Sequence, residues 1–314
     1  MCGIIGSISK SLNFNEQNQY LTWALSDMHH RGPDDTRIWS DNTNYITGFN
    51  RLSIRDLSEN AMQPMISECK RYVLSFNGEI YNSDLYKNRL LSRGVKFYTT
   101  SDTEVLMNAL IHLGIKKVLE SFDGIFAFAF YDISKKILKI ARDRAGIKPL
   151  YYGESVDGFI FSSQYNHIIN HPSFKNNSYN SGAIGSFLQF GYMIEGEKSL
   201  VQDTSFLPHG HYLISDGINN QTIPYWSFPR ETVPKTKKTL TEVIAQATKS
   251  QLVSDVPIGT FMSGGNDSTL VTKFASDFKK VLNHLMWVLR IMNMMKVGLQ
   301  NHMQIFLKLI ISQK

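Results

Sequence analysis

The chain has 314 residues, of which 42% are hydrophobic and 19% charged, so it can form one large or two ordinary domains with a buried core. This composition excludes intrinsic disorder and collagen-like repeats. The longest uninterrupted apolar run, residues 125–131, is too short for a membrane-spanning helix. The amino terminus lacks the basic leader and long apolar stretch of a secretory signal, and Cys2 and Cys69 are too few for a disulfide framework or, by themselves, a zinc site. We therefore predict a cytoplasmic protein.

The formal net charge of +6 comes from one end of the chain. Residues 279–314 contain six basic residues and no acidic ones, whereas residues 1–278 carry 27 of each kind. A polyanion-binding surface would need positive charge on the main body of the protein. Neither a nucleic acid nor a membrane is therefore an expected partner.

Short strand-like segments are interleaved with helical ones over the first 190 residues. Apolar or alternating runs closed by turn residues predict strands at 2–8, 45–53, 71–76, 125–132, 137–141 and 159–163. Apolar residues at helical spacing predict helices over 16–29 and 103–113. Because the helices cluster between groups of strands, the pattern predicts a layered α+β domain.

A second region follows a change in composition. Residues 215–238 are rich in Asn, Thr, Pro and Lys and look like a linker, so we assign 191–238 to a connecting segment. Next come an amphipathic helix over 239–253, a buried-type strand over 256–262, a glycine-containing loop and a helix over 270–279. This order is typical of the start of an α/β nucleotide-binding domain, which we place at 239–280.

Cys2 is the first residue with a candidate chemical role. Removal of Met1 would put a thiol and a free α-amino group on one residue. Because these groups titrate at about 8.5 and about 7.7–8.0, the amine can accept the thiol proton near neutrality, so that one residue supplies both nucleophile and base. A cysteine at position two is more often incidental, so Cys2 alone is weak support. Cys69 has no comparable neighbours in sequence and is expected to be inert.

Five short motifs accompany Cys2 in order along the chain. They are HRGPD at 30–34, RLSI at 51–54, FNGEIYN at 76–82, SDTE at 101–104 and RDRAGIKPLYY at 142–152. Each has an ordinary alternative: SDTE can be a helix capping box, Asn77 and Gly78 a hairpin turn, and Arg51 a surface charge. Together they resemble the N-terminal nucleophile glutaminase domain of the asparagine synthetase family, over residues 2 to about 165. The resemblance implies a four-layer αββα sandwich for residues 2–190.

The resemblance also implies a reaction and a role for particular residues. The family hydrolyses the side-chain amide of L-glutamine at its N-terminal cysteine, without a cofactor for this step. Asn77 and Gly78 would stabilise the developing oxyanion. Arg51 would bind the α-carboxylate of glutamine, and Glu79 with Asp102 would bind its α-ammonium group.

The loop SGGNDS at 263–268 is the second candidate site. Backbone N–H groups and a helix dipole at such a loop suit a phosphate, although the Gly-Lys-Ser/Thr of the Walker pattern is absent. With the preceding QLVSDVPIG at 251–259, the loop resembles the ATP-pyrophosphatase part of asparagine synthetases. The resemblance implies ATP binding by Ser263, Gly264, Gly265, Asp267 and Ser268, with Mg²⁺ at ligands that the sequence does not identify. In that family, ammonia from glutamine amidates an adenylated carboxylate, which is L-aspartate in asparagine biosynthesis.

Some positions depart from the family pattern and leave alternatives open. The family usually has an aliphatic residue at Asn266, an acid at Gln164 and a lysine at Asn166, and residues 192–203 are also divergent. Amidation of a different carboxylate therefore stays open as an alternative. Association of two copies into a homodimer is a separate open alternative. Sister enzymes join the same glutaminase to a sugar isomerase or phosphoribosyl transfer domain, but the SGGNDS loop argues against them. The remaining alternative is an inactive or regulatory fragment whose basic tail touches a membrane.

Residues 281–314 differ from the rest of the chain in composition. They hold five of the twelve methionines and no acid, and their apolar residues follow no clean period. Shifted by one base, the codons for residues 292–297 read Glu-(Tyr/His)-Asp-Glu-(Ser/Gly), and the family carries Tyr-Asp-Glu-Ser at about this distance beyond the loop. Lys279 and Lys280 are encoded by an adenine-rich tract where a one-base slip is plausible. We therefore predict a frame-shifted tail, a truncated synthetase domain, and at most glutaminase activity in this chain.

Overall fold

The computed structural model describes residues 1–9, 14–193, 199–229 and 237–279, together with the backbone of 283–285. It divides into an amino-terminal unit, Met1–Phe228, and a carboxy-terminal unit, Pro229–Lys314. The strands are β1 Gly3–Ser9, β2 Asp35–Ser40, β3 Tyr45–Arg51, β4 Met65–Ile66, β5 Tyr72–Ile80, β6 Gly124–Asp132, β7 Ile137–Arg142, β8 Tyr151–Ser155, β9 Gly158–Ser162, β10 Thr204–Phe206, β11 His211–Ser215, β12 Asn220–Pro224, β13 Gly259–Phe261 and β14 Asn283–Leu285. The helices are α1 Phe14–Asp27, α2 Ser83–Leu91, α3 Asp102–Leu113, α4 Ile115–Ser121, α5 Asn166–Ile169, α6 Ser181–Phe190, α7 Leu240–Ser250 and α8 Asn266–Phe278.

Two antiparallel sheets of six strands form the centre of the amino-terminal unit. Their strand orders are β10-β8-β9-β1-β3-β2 and β12-β11-β7-β6-β5-β4. Strand β6 shows why both faces of the second sheet are buried. Its Phe126, Phe128 and Phe130 pack among the residues of α2, α3 and α4, whereas Ala127 and Ala129 face a core shared with the first sheet. Alternate residues of a strand point to opposite faces, so an uninterrupted apolar run supplies both layers.

Helices cover the outer faces of the two sheets. On the first sheet, Leu21, Ala24 and Leu25 of α1 pack against Ile5 and Ile46. On the second sheet, α2, α3 and α4 contribute to the cluster that contains the phenylalanines of β6. The order of layers is helix, sheet, sheet, helix, so the predicted α+β class and αββα sandwich are confirmed.

Strands β10 to β12 lie in the part of the chain predicted to connect two domains. β12 pairs with β11 from His211↔Pro224 to Ser215↔Asn220 and forms the edge of the second sheet. The linker prediction over 215–238 is therefore wrong for Asn220–Pro224. Its polar composition reflects an edge strand whose residues are all partly or fully exposed. The compact unit also continues to Phe228, beyond the boundary predicted at residue 190.

The carboxy-terminal unit begins with α7, which Thr239 and Glu242 start with a reciprocal capping box. β13 is shorter than predicted, and α8 starts at Asn266 rather than near 270. β13 pairs in parallel with the backbone of β14, giving the strand-helix-strand order of a nucleotide-binding domain. Beyond the backbone of 283–285, the predicted frame-shifted tail lies outside the described residues. In the described part of the chain, no helix has the length and apolarity to cross a bilayer.

Candidate active site

A cleft in the amino-terminal unit encloses a volume of about 580 Å³, part of which opens to solvent. Its lining includes every residue that the sequence assigned to glutamine hydrolysis: Cys2, Arg51, Asn77, Gly78, Glu79 and Asp102. These residues are the one that precedes β1 and others from the end of β3, the second half of β5 and the start of α3. The fold thus brings together positions that are up to 100 residues apart in the sequence.

Cys2 is held by backbone groups that follow β3. The Leu52 N–H lies 3.4 Å from the Cys2 Sγ, and the thiol lies 3.6 Å from the Leu52 carbonyl oxygen. The Arg31 Nε donates to the Cys2 carbonyl oxygen at 3.1 Å. Burial raises the pKa of the Cys2 thiol and lowers the pKa of the α-amino group at Met1. Both shifts favour a neutral thiol beside a neutral amine.

Asn77 and Gly78 lie within β5, which continues to Ile80 because residues 77–80 pair with residues 124–127 of β6. The hairpin-turn interpretation of these two residues is therefore wrong. A Cβ on Gly78 would lie 2.3 Å from the Ile125 carbonyl oxygen, so the close approach of the strands requires glycine there. The buried Nδ2 of Asn77 has no hydrogen-bond partner among the described residues. It is a donor available to a bound molecule.

Gln63 holds β5 in place next to Asn77. Its Oε1 accepts from the Phe76 N–H at 2.6 Å, and its Nε2 donates to the Phe76 carbonyl oxygen at 3.2 Å. The amide thereby satisfies both backbone groups of the residue before Asn77, as a neighbouring strand would.

Arg51 is buried, so its interpretation as a surface charge is wrong. Its Nη1 donates to the Ser58 carbonyl oxygen at 2.9 Å and its Nη2 to the Asp56 carbonyl oxygen at 2.5 Å. The Asp56 carboxylate in turn accepts from the Thr100 N–H at 2.7 Å. The loop over 52–58 is thus anchored both to β3 and to the residues before α3.

Glu79 and Asp102 form a close carboxylate pair with Arg55 beside them. Arg55 Nη1 lies 3.4 Å from Asp102 Oδ2 and 3.8 Å from Glu79 Oε2. The Ile80 N–H donates to Asp102 Oδ2 at 2.9 Å. Burial and the neighbouring Asp102 carboxylate raise the pKa of Glu79 to about 8, and burial also raises the pKa of Asp102. Both shifts favour protonation of the pair over two buried anions side by side.

The SDTE motif caps α3 only from one side. Ser101 Oγ accepts from the Thr103 N–H at 3.0 Å, as an N-cap should. Glu104 does not return this bond, because its Oε2 accepts from the N–H and the hydroxyl of Thr99, both at 2.7 Å. The capping-box interpretation is therefore wrong, and Glu104 instead fixes the segment that leads into Asp102.

Sequence reasoning assigned no role to Arg55 or Lys148, although both line the cleft. The RDRAGIKPLYY motif explains the position of Lys148. Asp143 Oδ2 accepts from the backbone N–H groups of Lys148 and Phe126, at 3.0 and 3.1 Å, and Phe126 is the partner of Gly78 in the sheet. Burial lowers the pKa of Lys148. The sequence motif indicated that this segment matters, but only the fold shows that its lysine lines the cleft.

The loop 263–268 in the carboxy-terminal unit has features that fit a phosphate group. Gly264 has a φ of +80°, which favours glycine. Gly265, the N-cap of α8, has no side chain to cap the first N–H groups of the helix. The Ser263 and Ser268 hydroxyls lie 3.2 Å apart beside these groups, so donors and the helix dipole converge there. Within the described residues, no cluster of His, Cys, Asp and Glu could hold a metal ion, and ligands for the predicted Mg²⁺ are not identified.

Comparisons with known proteins agree with this division of the chain. The sequence model of the glutamine amidotransferase domain family matches residues 1–226, and that of the asparagine synthase family matches residues 239–299. Asparagine synthetase [glutamine-hydrolyzing] 3 of Bacillus subtilis is 32% identical over 284 residues, covering 88% of this chain and 45% of that protein. A putative asparagine synthetase [glutamine-hydrolyzing] 2 of Methanocaldococcus jannaschii is 34% identical over 305 residues, covering 88% of this chain and 57% of that protein. The resemblance predicted from the motifs is confirmed.

A solved structure shares the fold. The glutamine phosphoribosylpyrophosphate amidotransferase of B. subtilis superposes with a TM-score of 0.52, covering 95% of this chain and 70% of that chain. Its sequence identity is 16%, so the likeness concerns the fold alone. The chain spans about half the length of the curated relatives it matches.

Proposed function

Because the chain belongs to the glutamine amidotransferase domain family, whose match covers residues 1–226, we propose that its amino-terminal unit hydrolyses glutamine to glutamate and ammonia. The observation that carries the proposal is the composition of the cleft. A cysteine thiol, a buried amide donor without a partner among the described residues and a carboxylate pair line the same cavity. These are the groups that attack, oxyanion stabilisation and recognition of an amino acid require.

Cys2 supplies the nucleophile after Met1 is removed. Its α-amine takes the thiol proton as Sγ attacks the side-chain carbonyl carbon of glutamine, and the same proton passes to the departing nitrogen, so that ammonia leaves. Water then hydrolyses the thioester to glutamate and returns the thiol. Burial raises the pKa of the Cys2 thiol and so favours the neutral thiol, which is the form in which this transfer starts.

The oxyanion of the tetrahedral intermediate accepts hydrogen bonds from Asn77 Nδ2 and the Gly78 N–H. Both donors lie on β5, which is fixed by its pairing with β6 and by Gln63. Donors held in advance need no reorganisation when charge develops, which is why losing one commonly lowers kcat by about 10²–10³-fold.

The amino-acid end of glutamine is recognised by charges on both sides of the cleft. Arg51 has five N–H donors, and its bonds to Asp56 and Ser58 leave others to bind the α-carboxylate. Glu79 and Asp102 bind the α-ammonium group. Burial disfavours two neighbouring carboxylate anions, and the positive charge of the substrate offsets this cost.

The partial asparagine synthase match extends the proposal to the use of ammonia. The relatives are named glutamine-hydrolysing asparagine synthetases, which favours L-aspartate as the acceptor carboxylate. Ser263, Gly264, Gly265, Asp267 and Ser268 would hold the phosphates of ATP, and Mg²⁺ would neutralise their charge when bound. Adenylation of the acceptor and displacement of AMP by ammonia would give the amide in a cytoplasmic enzyme. Amidation of another carboxylate is the alternative that Asn266, which departs from the family pattern, leaves open.

Glutamate release from glutamine tests the first half of the proposal. We expect Cys2→Ala and Cys2→Ser to lose most of the activity, whereas Cys69→Ala, which changes the exposed cysteine outside the cleft, should keep it. Undiminished activity in Cys2→Ala would contradict the mechanism. Addition of ATP and aspartate tests the second half. Because the synthetase domain is predicted to be truncated, we expect this chain to release glutamate without forming AMP, and formation of AMP and asparagine would contradict that prediction.

A further inference from the structure

Arg55 contacts both carboxylates assigned to the substrate ammonium. Its Nη1 is 3.4 Å from Asp102 and 3.8 Å from Glu79, and it is mostly buried, with 12% of its side chain exposed. Nη1 also lies 3.4 Å from the Ile80 carbonyl oxygen, and both Nη atoms lie 3.4 Å from Ser83 Oγ. The guanidinium group is thus fixed against the end of β5 and the start of α2.

Two buried carboxylates next to each other resist simultaneous ionisation. Burial and Asp102 raise the pKa of Glu79 to about 8, and Arg55 acts in the opposite direction on both members of the pair. Glu79 also has electrostatic interactions with three other titratable groups: Lys148, the Cys2 thiol and Tyr81. Of these, Lys148 is positive, and it lowers the pKa of Glu79 less than Arg55 does. Arg55 is therefore the principal counter-charge of the pair.

We propose that Arg55 is a positioning residue for glutamine, which favours the ionised forms of Glu79 and Asp102 and orients both carboxylates to receive the α-ammonium group. The inference rests on the proposed glutaminase function. The 3.8 Å contact with Glu79 is longer than a hydrogen bond, so the oxygens of Glu79 keep acceptor capacity. Arg55 therefore supports the acceptor pair and leaves room for the substrate.

The proposal has a defined pH dependence. An ammonium group binds the doubly ionised pair better than the singly protonated pair, so binding releases a proton while the pH is below the higher pKa of the pair. Without Arg55 this pKa rises further, and less of the pair is doubly ionised at pH 7. The Michaelis constant for glutamine should then rise at pH 7 and approach that of the unmodified chain as the pH increases.

The test compares Arg55→Met with the unmodified chain and with Arg93→Met, which removes an exposed arginine outside the cleft. We expect Arg55→Met to raise KM for glutamine about tenfold at pH 7, since each pKa unit changes the ionised fraction tenfold, with a much smaller change in kcat. The ratio of KM values should fall toward one at pH 9. Arg55→Lys should recover part of the affinity, and Arg93→Met should change nothing.

Glutaramate, which is glutamine without its α-amino group, separates positioning from a general structural effect. Arg55→Met should affect kcat/KM for glutaramate much less than for glutamine. A lower KM for glutamine in Arg55→Met would mean that the arginine competes with the substrate and would overturn the proposal. An increase that is independent of pH, or equal for glutaramate, would also overturn it.

Two controls keep the outcomes distinct. If the unmodified chain releases no glutamate, or if Cys2→Ala stays active, the proposed function fails; if those results hold and Arg55→Met behaves like Arg93→Met, only the role of Arg55 fails. Should Arg55→Met not fold by circular dichroism, Arg55→Gln takes its place: a pH-dependent rise in KM in Arg55→Gln that Arg55→Lys partly reverses supports the proposal, and an unchanged KM in Arg55→Gln overturns it.

Discussion

Replacing Asn77 with leucine should separate stability from activity. The Nδ2 of Asn77 is buried without a partner among the described residues, and a buried unpaired polar group costs about 1–3 kcal/mol. Leucine has a similar branched shape and no such group. We therefore expect Asn77→Leu to raise the free energy of unfolding by about 1 kcal/mol, or about 2–4 °C in Tm for a unit of this size. Loss of the oxyanion donor should lower kcat by about 10²–10³-fold.

Asn50→Leu is the matched control for this experiment. Asn50 is also buried in the first sheet, but its Nδ2 donates to the Leu25 carbonyl oxygen at 2.7 Å and its Oδ1 accepts from the Thr36 hydroxyl at 3.0 Å. The same substitution there should lower the free energy of unfolding by about 1–3 kcal/mol, because it leaves both partners unpaired. Thermal or urea unfolding and glutamate release measure the two effects. Equal destabilisation of both variants, or full kcat in Asn77→Leu, would refute the assigned role of Asn77.

Three further predictions concern the same unit. Gly78→Ala should lower the free energy of unfolding by about 1–3 kcal/mol or more and reduce glutamate release, because its Cβ would lie 2.3 Å from the Ile125 carbonyl oxygen. Gly185→Ala is the control, since a Cβ there meets nothing within 4 Å. In urea unfolding this control should be more stable by about 0.5–1 kcal/mol. Arg51→Lys should raise KM for glutamine and lower Tm, because one ammonium group cannot bond both loop carbonyl oxygens and a carboxylate in the geometry of a guanidinium fork; an unchanged KM would contradict this. Burial lowers the pKa of His171 to about 4 from about 6.5. As the pH drops from 6.5 to 4, the unfolded state therefore binds the proton first, and the free energy of unfolding should fall by up to ~3 kcal/mol. In His171→Asn, the free energy of unfolding measured in urea should depend less on pH over this range.

The residues that line the cleft could be predicted because Cys2 stands next to the amino terminus and the others belong to short motifs in strands or at a helix start. Asn77 and Asp102 were predicted from their motifs and Cys2 from its position after Met1, and all three line the cleft. Local patterns also predicted β1, β3, β5, β6, β7 and β9, whereas β2, β4, β8, β10 and β11 were not predicted. The apolar run in β6 indicated a strand, although only the packed sheets show that its phenylalanines face helices and its alanines face the other sheet.

Long-range contacts explain what the sequence could not show. Arg55 reaches Asp102 because Asp56 fastens its loop to Thr100, and no local spacing encodes that connection. The strand β12 was mistaken for a linker because edge strands share the polar composition of loops. Glu104 satisfied the capping-box pattern, but Thr99 competed successfully for its carboxylate.

Mass mapping of the chain after labelling tests the central claim most directly. A glutamine analogue that carries an electrophilic diazoketone in place of the side-chain amide should react with the nucleophile, and glutamine should protect against it. We predict a single adduct on Cys2, in an amino-terminal peptide that lacks Met1. An adduct on Cys69, or protected labelling of a peptide that still begins with Met1, would contradict the account.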